Sequence, residues 1–166
     1  MEVRPAVAGD ALDVARVHVR SWQSAYRGLI DQEYLDNLDP ETWAGRYTFG
    51  RVGLPSTVVA VDGSAIRGLA TTGLCQDEDL ANCGELLAIY VDPLCTGTGI
   101  GRLLMAAARE RLRRVGVTKA SLWVLDGNAH ARRFYERDGW RLDGTRRTMT
   151  YGGTPVDEVR YLRLLQ

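Results

Sequence analysis

The sequence predicts an α/β protein with a mixed, mostly antiparallel sheet flanked by helices. Three observations lead there. Period-two apolar runs come first, at Thr57–Val61 and Ile66–Leu74, with Asp62-Gly63 between them as a hairpin turn. An apolar strand then runs through a glycine-rich turn into a helix and on to a second apolar strand, the order of a parallel crossover. A further helix and more strands close the chain, so antiparallel pairs bracket one parallel pair.

Taken in order, Val3 to Ala6 suits a short first strand. Asp10 stands as the N-cap of a helix with Leu12, Ala15, Val19 and Trp22 on one face. The acidic, aromatic-rich stretch from Asp31 to Phe49 reads as one or two short helices, with Pro40 in a first turn. After the hairpin, Asp77-Glu78-Asp79 reads as a solvated loop. Glu85 to Val91 (ELLAIYV) is nearly all apolar, as a strand covered on both faces must be, and Asp92-Pro93 ends it. The next helix carries the stripe Ile100, Leu103, Leu104, Ala107, Ala108, Leu112 and Val115 and stops at Gly116. Ala120 to Leu125 is a strand, Asn128 to Arg137 a helix, Trp140 opens another strand, and Val156 to Leu165 is the last. No repeat, linker or low-complexity tract divides the chain, so 1–166 is expected to be a single domain.

Composition narrows the function. No run approaches the roughly 18 apolar residues of a membrane span, and the first residues lack the apolar core of a secretory signal. The three cysteines (Cys75, Cys83, Cys95) form no CxxC and have only His18 and His130 beside them, which argues against a disulfide framework or a metal. A cytoplasmic protein is the expectation. Net charge is zero, and no basic run interleaves with aromatics, so nucleic acid is not an expected partner, nor is a membrane. The charge is nevertheless uneven, −7 over residues 1–95 and +7 over 96–166.

Gly97-Thr98-Gly99-Ile100-Gly101-Arg102 sits between a strand and a helix. The first amides of a helix have no internal partner and face the positive end of its dipole, so this turn suits an anion. A P-loop is excluded because its Lys is missing. A dinucleotide fingerprint fails because its third glycine falls on Arg102.

The strand ELLAIYVDP, the turn GTGIGR and the run N-x-x-A-x-x-F-Y-x-x-x-G-W from Asn128 to Trp140, in this order and spacing, resemble the GCN5-related N-acetyltransferases over about residues 84–145. The resemblance implies that the central parallel strands splay apart at a bulge to admit acetyl-CoA as co-substrate, with no metal. Its pantetheine arm would pair with the main chains of Ile89 and Val91. Its pyrophosphate would lie on the amides of Gly97, Thr98, Gly99, Ile100, Gly101 and Arg102, with Arg133 near, and Asn128 would contact the arm. Thr96 departs from the Arg or Gln usual there.

Acetyl transfer to an amine needs a neutral nucleophile, a cradle for the oxyanion and a proton for the departing thiolate. An amine of pKa about 10.4 is only about one part in a thousand neutral near pH 7.4, a handicap of about 4 kcal/mol. Tyr135, two turns from Asn128 on one helix face, is the candidate acid, with Phe134 as the core member of that pair. The resemblance makes Glu85, at the entry of the central strand, the candidate base, equally readable as a solvated strand-end carboxylate; His18 and His130 are weaker. A main-chain N–H near Ile89 would take the oxyanion. Trp22 and Tyr26, with Tyr34 and Tyr151, are candidates for an aromatic wall around the acceptor. The reading is an acetyl-CoA-dependent acyltransferase acting on an amine, with a homodimer left open. Its first rival is an inactive acyl-CoA-binding sensor of the same fold. The acidic half, including Asp31, Glu33, Asp36, Asp39 and Glu41, suggests a small cationic acceptor.

Overall fold

The computed structural model describes residues 1–166. The chain runs through β1 (Glu2–Pro5), α1 (Ala11–Ala25), α2 (Gln32–Asp36), α3 (Pro40–Ala44), β2 (Ser56–Asp62), β3 (Ala65–Leu74) and β4 (Cys83–Val91). It continues through α4 (Ile100–Arg114), β5 (Lys119–Leu125), α5 (Ala129–Arg137), β6 (Arg141–Tyr151) and β7 (Thr154–Leu164). All strands join one sheet in the order β1-β2-β3-β4-β5-β7-β6. Only β4 and β5 run parallel; every other neighbour is antiparallel. The mixed, mostly antiparallel sheet with one central parallel pair is as expected. No helix is long and apolar enough to cross a membrane.

Strand alternation sorts the core onto two faces. Val59, Val61 and Leu69 pack with Val14 and Val17 of α1. Ala60, Ala70, Leu86, Ala120, Leu122, Val124 and Tyr161 pack with Leu104, Met105, Ala108 and Leu112 of α4. Leu104 is fully buried, so truncating it to Ala costs about 2–5 kcal/mol.

Several stripe residues differ from expectation. On α4, Leu103 is 47% exposed and Val115 is also exposed, while Met105 is buried, because the helix turns its i, i+4, i+8 row from Leu104 to Leu112 into the sheet. On α1, Val14 and Val17 are buried and Leu12 only half so. Asp10 holds the N-cap position, but its carboxylate turns back to Arg4 and to the Val7 amide instead of capping α1. Asp31 and Asp39 cap α2 and α3, accepting from the amides of Tyr34 and Glu41, with Pro40 opening α3. The acidic loop is not simply solvated: Asp77 and Asp79 both grip Arg160 of β7.

Candidate functional site

The parallel pair parts almost as soon as it forms. β4 and β5 match only at Cys83↔Lys119, Gly84↔Ala120 and Glu85↔Ser121. On the other side of β4, Thr72 pairs with Leu86 and Thr71 with Ala88, so Leu87 is an extra residue, a bulge. A bulge twists its strand, and this one lies where β4 leaves β5. It also shifts the strand's phase: Leu86 and Ile89, three apart, both face the α4 core.

Beyond the bulge, the Asp92 amide bonds to the Arg67 carbonyl on β3. Antiparallel alternation then turns the Tyr90 main chain toward β3 and those of Ile89 and Val91 toward the gap. The Val91 carbonyl accepts from Ser21 Oγ at 3.2 Å, which leaves its N–H.

The glycine turn stands at the end of β4. Asp92 caps the short turn before it by accepting from Leu94 N. Gly97 and Gly99 have φ of 76° and 87°, and a Cβ on either would meet nothing within 4 Å. No side chain caps α4, so its leading amides stay free. Gly101 is different: a Cβ there would come within 3.1 Å of the Phe134 ring. Its lack of a side chain therefore serves helix packing. Arg102 and Arg133 are exposed.

Asn128 Oδ1 accepts from Ala131 N and so caps α5, leaving its amide NH₂ without a partner in the chain. Tyr135 is 9% exposed and lies against Trp140 and Tyr161, whereas Phe134 is only half-buried. Both rings pack against the core, and Tyr135 is the deeper. Burial, then the Tyr90 phenol, raises the Tyr135 pKa above that of a free phenol. The Tyr90 ring stacks on His18 of α1, on the opposite side of the sheet from the α4 core, yet its phenol still acts on that of Tyr135.

Glu85, half-buried on the α1 face, has no ion-pair partner within the chain. Desolvation and then nearby Asp77 push its carboxyl up, while Arg147 and Cys75 pull the other way. Cys75 sits beside it, accepting from Ser121 Oγ at 3.4 Å.

The four expected aromatics come together. Trp22 lies 4.9 Å from Tyr26 and 5.4 Å from Tyr151 between ring centroids, and Tyr34 packs in the same cluster. His18, weighed in the sequence only as a weaker base, extends this wall together with Trp43 and Tyr90, which were not singled out there. Burial lowers the His18 pKa to about 4, and its Nδ1 is 2.8 Å from Tyr47 Oη, so it is a neutral packing group and a poor base near pH 7. His130 is exposed on α5. Sequence reasoning also passed over Glu158, which is buried on β7. Its only signal was the alternation of Val156, Glu158 and Arg160 against Val159 and Tyr161.

The family model of the acetyltransferase (GNAT) family matches residues 18–140. An uncharacterised N-acetyltransferase, YuaI, of Bacillus subtilis is 33% identical over 76% of this chain and 72% of its own. Another, from Archaeoglobus fulgidus, is 34% identical over 81% and 89%. A spermidine N(1)-acetyltransferase of Thermoplasma acidophilum is 24% identical over 87% and 91%. The fold matches the PaiA N-acetyltransferase of Thermoplasma acidophilum, solved with coenzyme A, at a TM-score of 0.69 and 21% identity over 95% and 96% of the two chains.

Proposed function

The chain belongs to the acetyltransferase (GNAT) family of acetyl-CoA-dependent acyltransferases, and from that premise we propose that it acetylates a primary amine by direct attack in a ternary complex. One observation carries the reading. β4 stops pairing with β5 after Glu85, and its main chain at Ile89 and Val91 faces the gap at the end where the uncapped turn of α4 begins. A pantetheine arm is an extended chain with amide groups, and it fits such an edge as an added strand. The amides from Gly97 to Arg102 suit the pyrophosphate, with Arg102 adding charge, and the free amide of Asn128 suits the arm.

The residues divide the chemistry. Glu85, whose raised pKa makes it a better base than an ordinary carboxylate, takes the proton of the attacking amine, directly or through water. The Ile89 N–H donates to the carbonyl oxygen as it gains charge. Tyr135 stays a phenol throughout the neutral range and donates to the sulfur as the carbon–sulfur bond breaks. Its pKa lies above the roughly 8.5 of a thiol, so its main contribution is a hydrogen bond to the forming thiolate. The neutral amine gives one proton to Glu85, which passes it to water, and the thiolate held by the phenol takes one from water, so the products are an amide and a thiol and the balance closes. Trp22 and Tyr26 line the acceptor's side. A small cationic amine suits that side, a reading supported by the spermidine N(1)-acetyltransferase among the relatives.

The test is an amine panel with thiol release as readout, run on the wild type and Tyr135→Phe. Some amine is expected to release thiol, and Tyr135→Phe to lower turnover roughly 10²–10⁴-fold with acetyl-CoA affinity unchanged. Normal turnover by the variant would refute the role of the phenol. Tight coenzyme binding with no amine acetylated would instead identify a sensor.

A further inference from the structure

Two of the three free cysteines face each other where the β3–β4 hairpin runs into its loop. The last register pair of that hairpin is Leu74↔Gly84, so Cys75 falls opposite Cys83. The Cys75 amide donates to the Cys83 carbonyl at 2.9 Å, which fixes the pairing. Neither thiol has a part in the chemistry proposed above.

Residues directly opposite in an antiparallel pair point to the same face, with Cα atoms about 4.5–5.5 Å apart. A disulfide spans about 4.4–6.8 Å between Cα atoms, so the backbone already stands where a bridge needs it. The face is that of α1. A Cβ on Gly84 would meet Leu112 of α4 at 2.7 Å, which turns Gly84 toward α4 and its neighbours Cys83 and Glu85 to the other side. Ser121, paired with Glu85 across the parallel strands, donates to Cys75 Sγ at 3.4 Å. Both cysteines, Ser121 and Glu85 therefore share one patch of the sheet.

The two thiols are unequal. Cys75 is only half-buried, and its sulfur accepts from the Asp77 amide and from Ser121, each at 3.4 Å. Cys83 is 3% exposed, and its thiol donates to the Gly84 carbonyl at 3.2 Å. Burial pushes that thiol up to about 11, so it does not begin an exchange near pH 7. One sulfur can thus meet a reagent while the other resolves the adduct. Cys95 stands at the other end of β4, packed beside the α4 core.

We infer that Cys75 and Cys83, opposed across β3 and β4, form a redox-active dithiol that closes to a disulfide by exchange with a low-molecular-weight disulfide. The Cys75 thiolate attacks one sulfur of the reagent, forming a mixed disulfide and expelling one thiolate. Cys83 then gives its proton to solvent and attacks the Cys75 sulfur, which forms the cross-strand bond and expels the second thiolate. The protein loses two electrons and two protons, and the reagent gains both as two thiols. The bond would lie two residues from Glu85, on the same face of the sheet. Its formation does not depend on the amine-acetylation reading above.

The probe is oxidised glutathione, followed by its removal, thiol counting in denaturant and mapping after cleavage at glutamate. Glu78 and Glu85 separate the three cysteines, so the fragments identify the partners. The wild type should fall from three free thiols to one, with the Cys75 and Cys83 fragments joined and no glutathione retained. Dithiothreitol should restore all three. Cys83→Ala should stop at one glutathione on Cys75. Cys75→Ser, a change at a half-buried position, should take none on Cys83, so the inference stays testable if Cys83→Ala folds poorly. The oxidised wild type should melt no lower than the reduced protein. Three thiols after exposure, glutathione retained on Cys75 in the wild type, or a bridge to Cys95 would overturn the inference. So would a folded Cys83→Ala that takes no glutathione, or Cys75→Ser that takes it on Cys83. An oxidised form that melts lower would overturn it too, because the strands would then have to part to close the bond.

Discussion

The proposed base Glu85 sets a demand of chemistry against stability. Its carboxyl is raised first by desolvation and then by Asp77. The folded chain therefore holds that proton more tightly than the unfolded chain does. Its contribution to stability is present below the unfolded carboxyl value, near 4.5, and is lost as pH rises through the higher folded value. At pH 7 the charged carboxylate is a burden on the fold. Glu85→Gln is accordingly expected to melt higher than the wild type at pH 7, with the advantage vanishing near pH 4. The same change should lower kcat/KM about tenfold or more and abolish its fall on the acid side, where protonation silences the base. Thermal melts and a pH–rate profile on the two proteins check both halves. A variant that loses stability at pH 7 while keeping the acid limb would remove Glu85 from the proton transfer. The sequence already offered Glu85 and Tyr135, because each stands at a fixed place relative to a strong motif. Glu158 and Cys75 were not legible, since nothing local announces which strand neighbours a charged residue will meet.

At the scale of elements, the turn before α4 separates two roles that its three glycines conceal. Gly99 has a φ of 87°, which side-chain-bearing residues rarely adopt, and open space above it. Gly99→Ala should disturb the leading amides of α4 and weaken acetyl-CoA binding roughly tenfold, about 1.4 kcal/mol. Gly101→Ala should act through Phe134, whose ring must yield where a Cβ would come within 3.1 Å, and so displace α5 with its Tyr135. Its expected signature is lower turnover with binding less affected. Calorimetry with the coenzyme and steady-state rates separate the two, and identical profiles would mean one shared role. Most element types could be read from the sequence because apolar period and turn residues fix them locally. The bulge was implied only by the family resemblance, never by the local pattern. ELLAIYV reads as an unbroken strand, yet the extra residue at Leu87 puts Leu86 and Ile89 on one face and helps to open the gap. Such a slip depends on how β3 pairs with β4, a long-range property with no local mark.

For the whole molecule, the split between an acidic first half and a basic second half serves two ends. Part of it is internal: Arg160, 3% exposed, draws Asp77 and Asp79 from the first half onto β7, and Asp143 joins them. That part holds the β3–β4 loop against the last hairpin, and its buried member Arg160 keeps most of it from salt, Asp79 being the exposed exception. The rest is proposed to face ligands. The polyanionic donor would meet the end of the sheet where Arg102 and Arg133 stand exposed, and the acceptor would meet the face of Glu85. Exposed charges are screened beyond about 8 Å at physiological ionic strength, whereas contacts made inside the aromatic wall are screened much less. Raising ionic strength from about 0.05 to about 0.5 M should therefore raise KM for a cationic amine and for acetyl-CoA together, with kcat little changed, because both effects act on encounter and binding. Steady-state kinetics across a salt series measures this, with potassium chloride and a non-ionic osmolyte compared to exclude effects of water activity. If KM for acetyl-CoA climbs while that of the preferred amine stays flat, the acids of the first half act only in holding the fold. A rise for both ties the charge asymmetry to the two substrates, since screening of the buried Arg160 cluster cannot produce it.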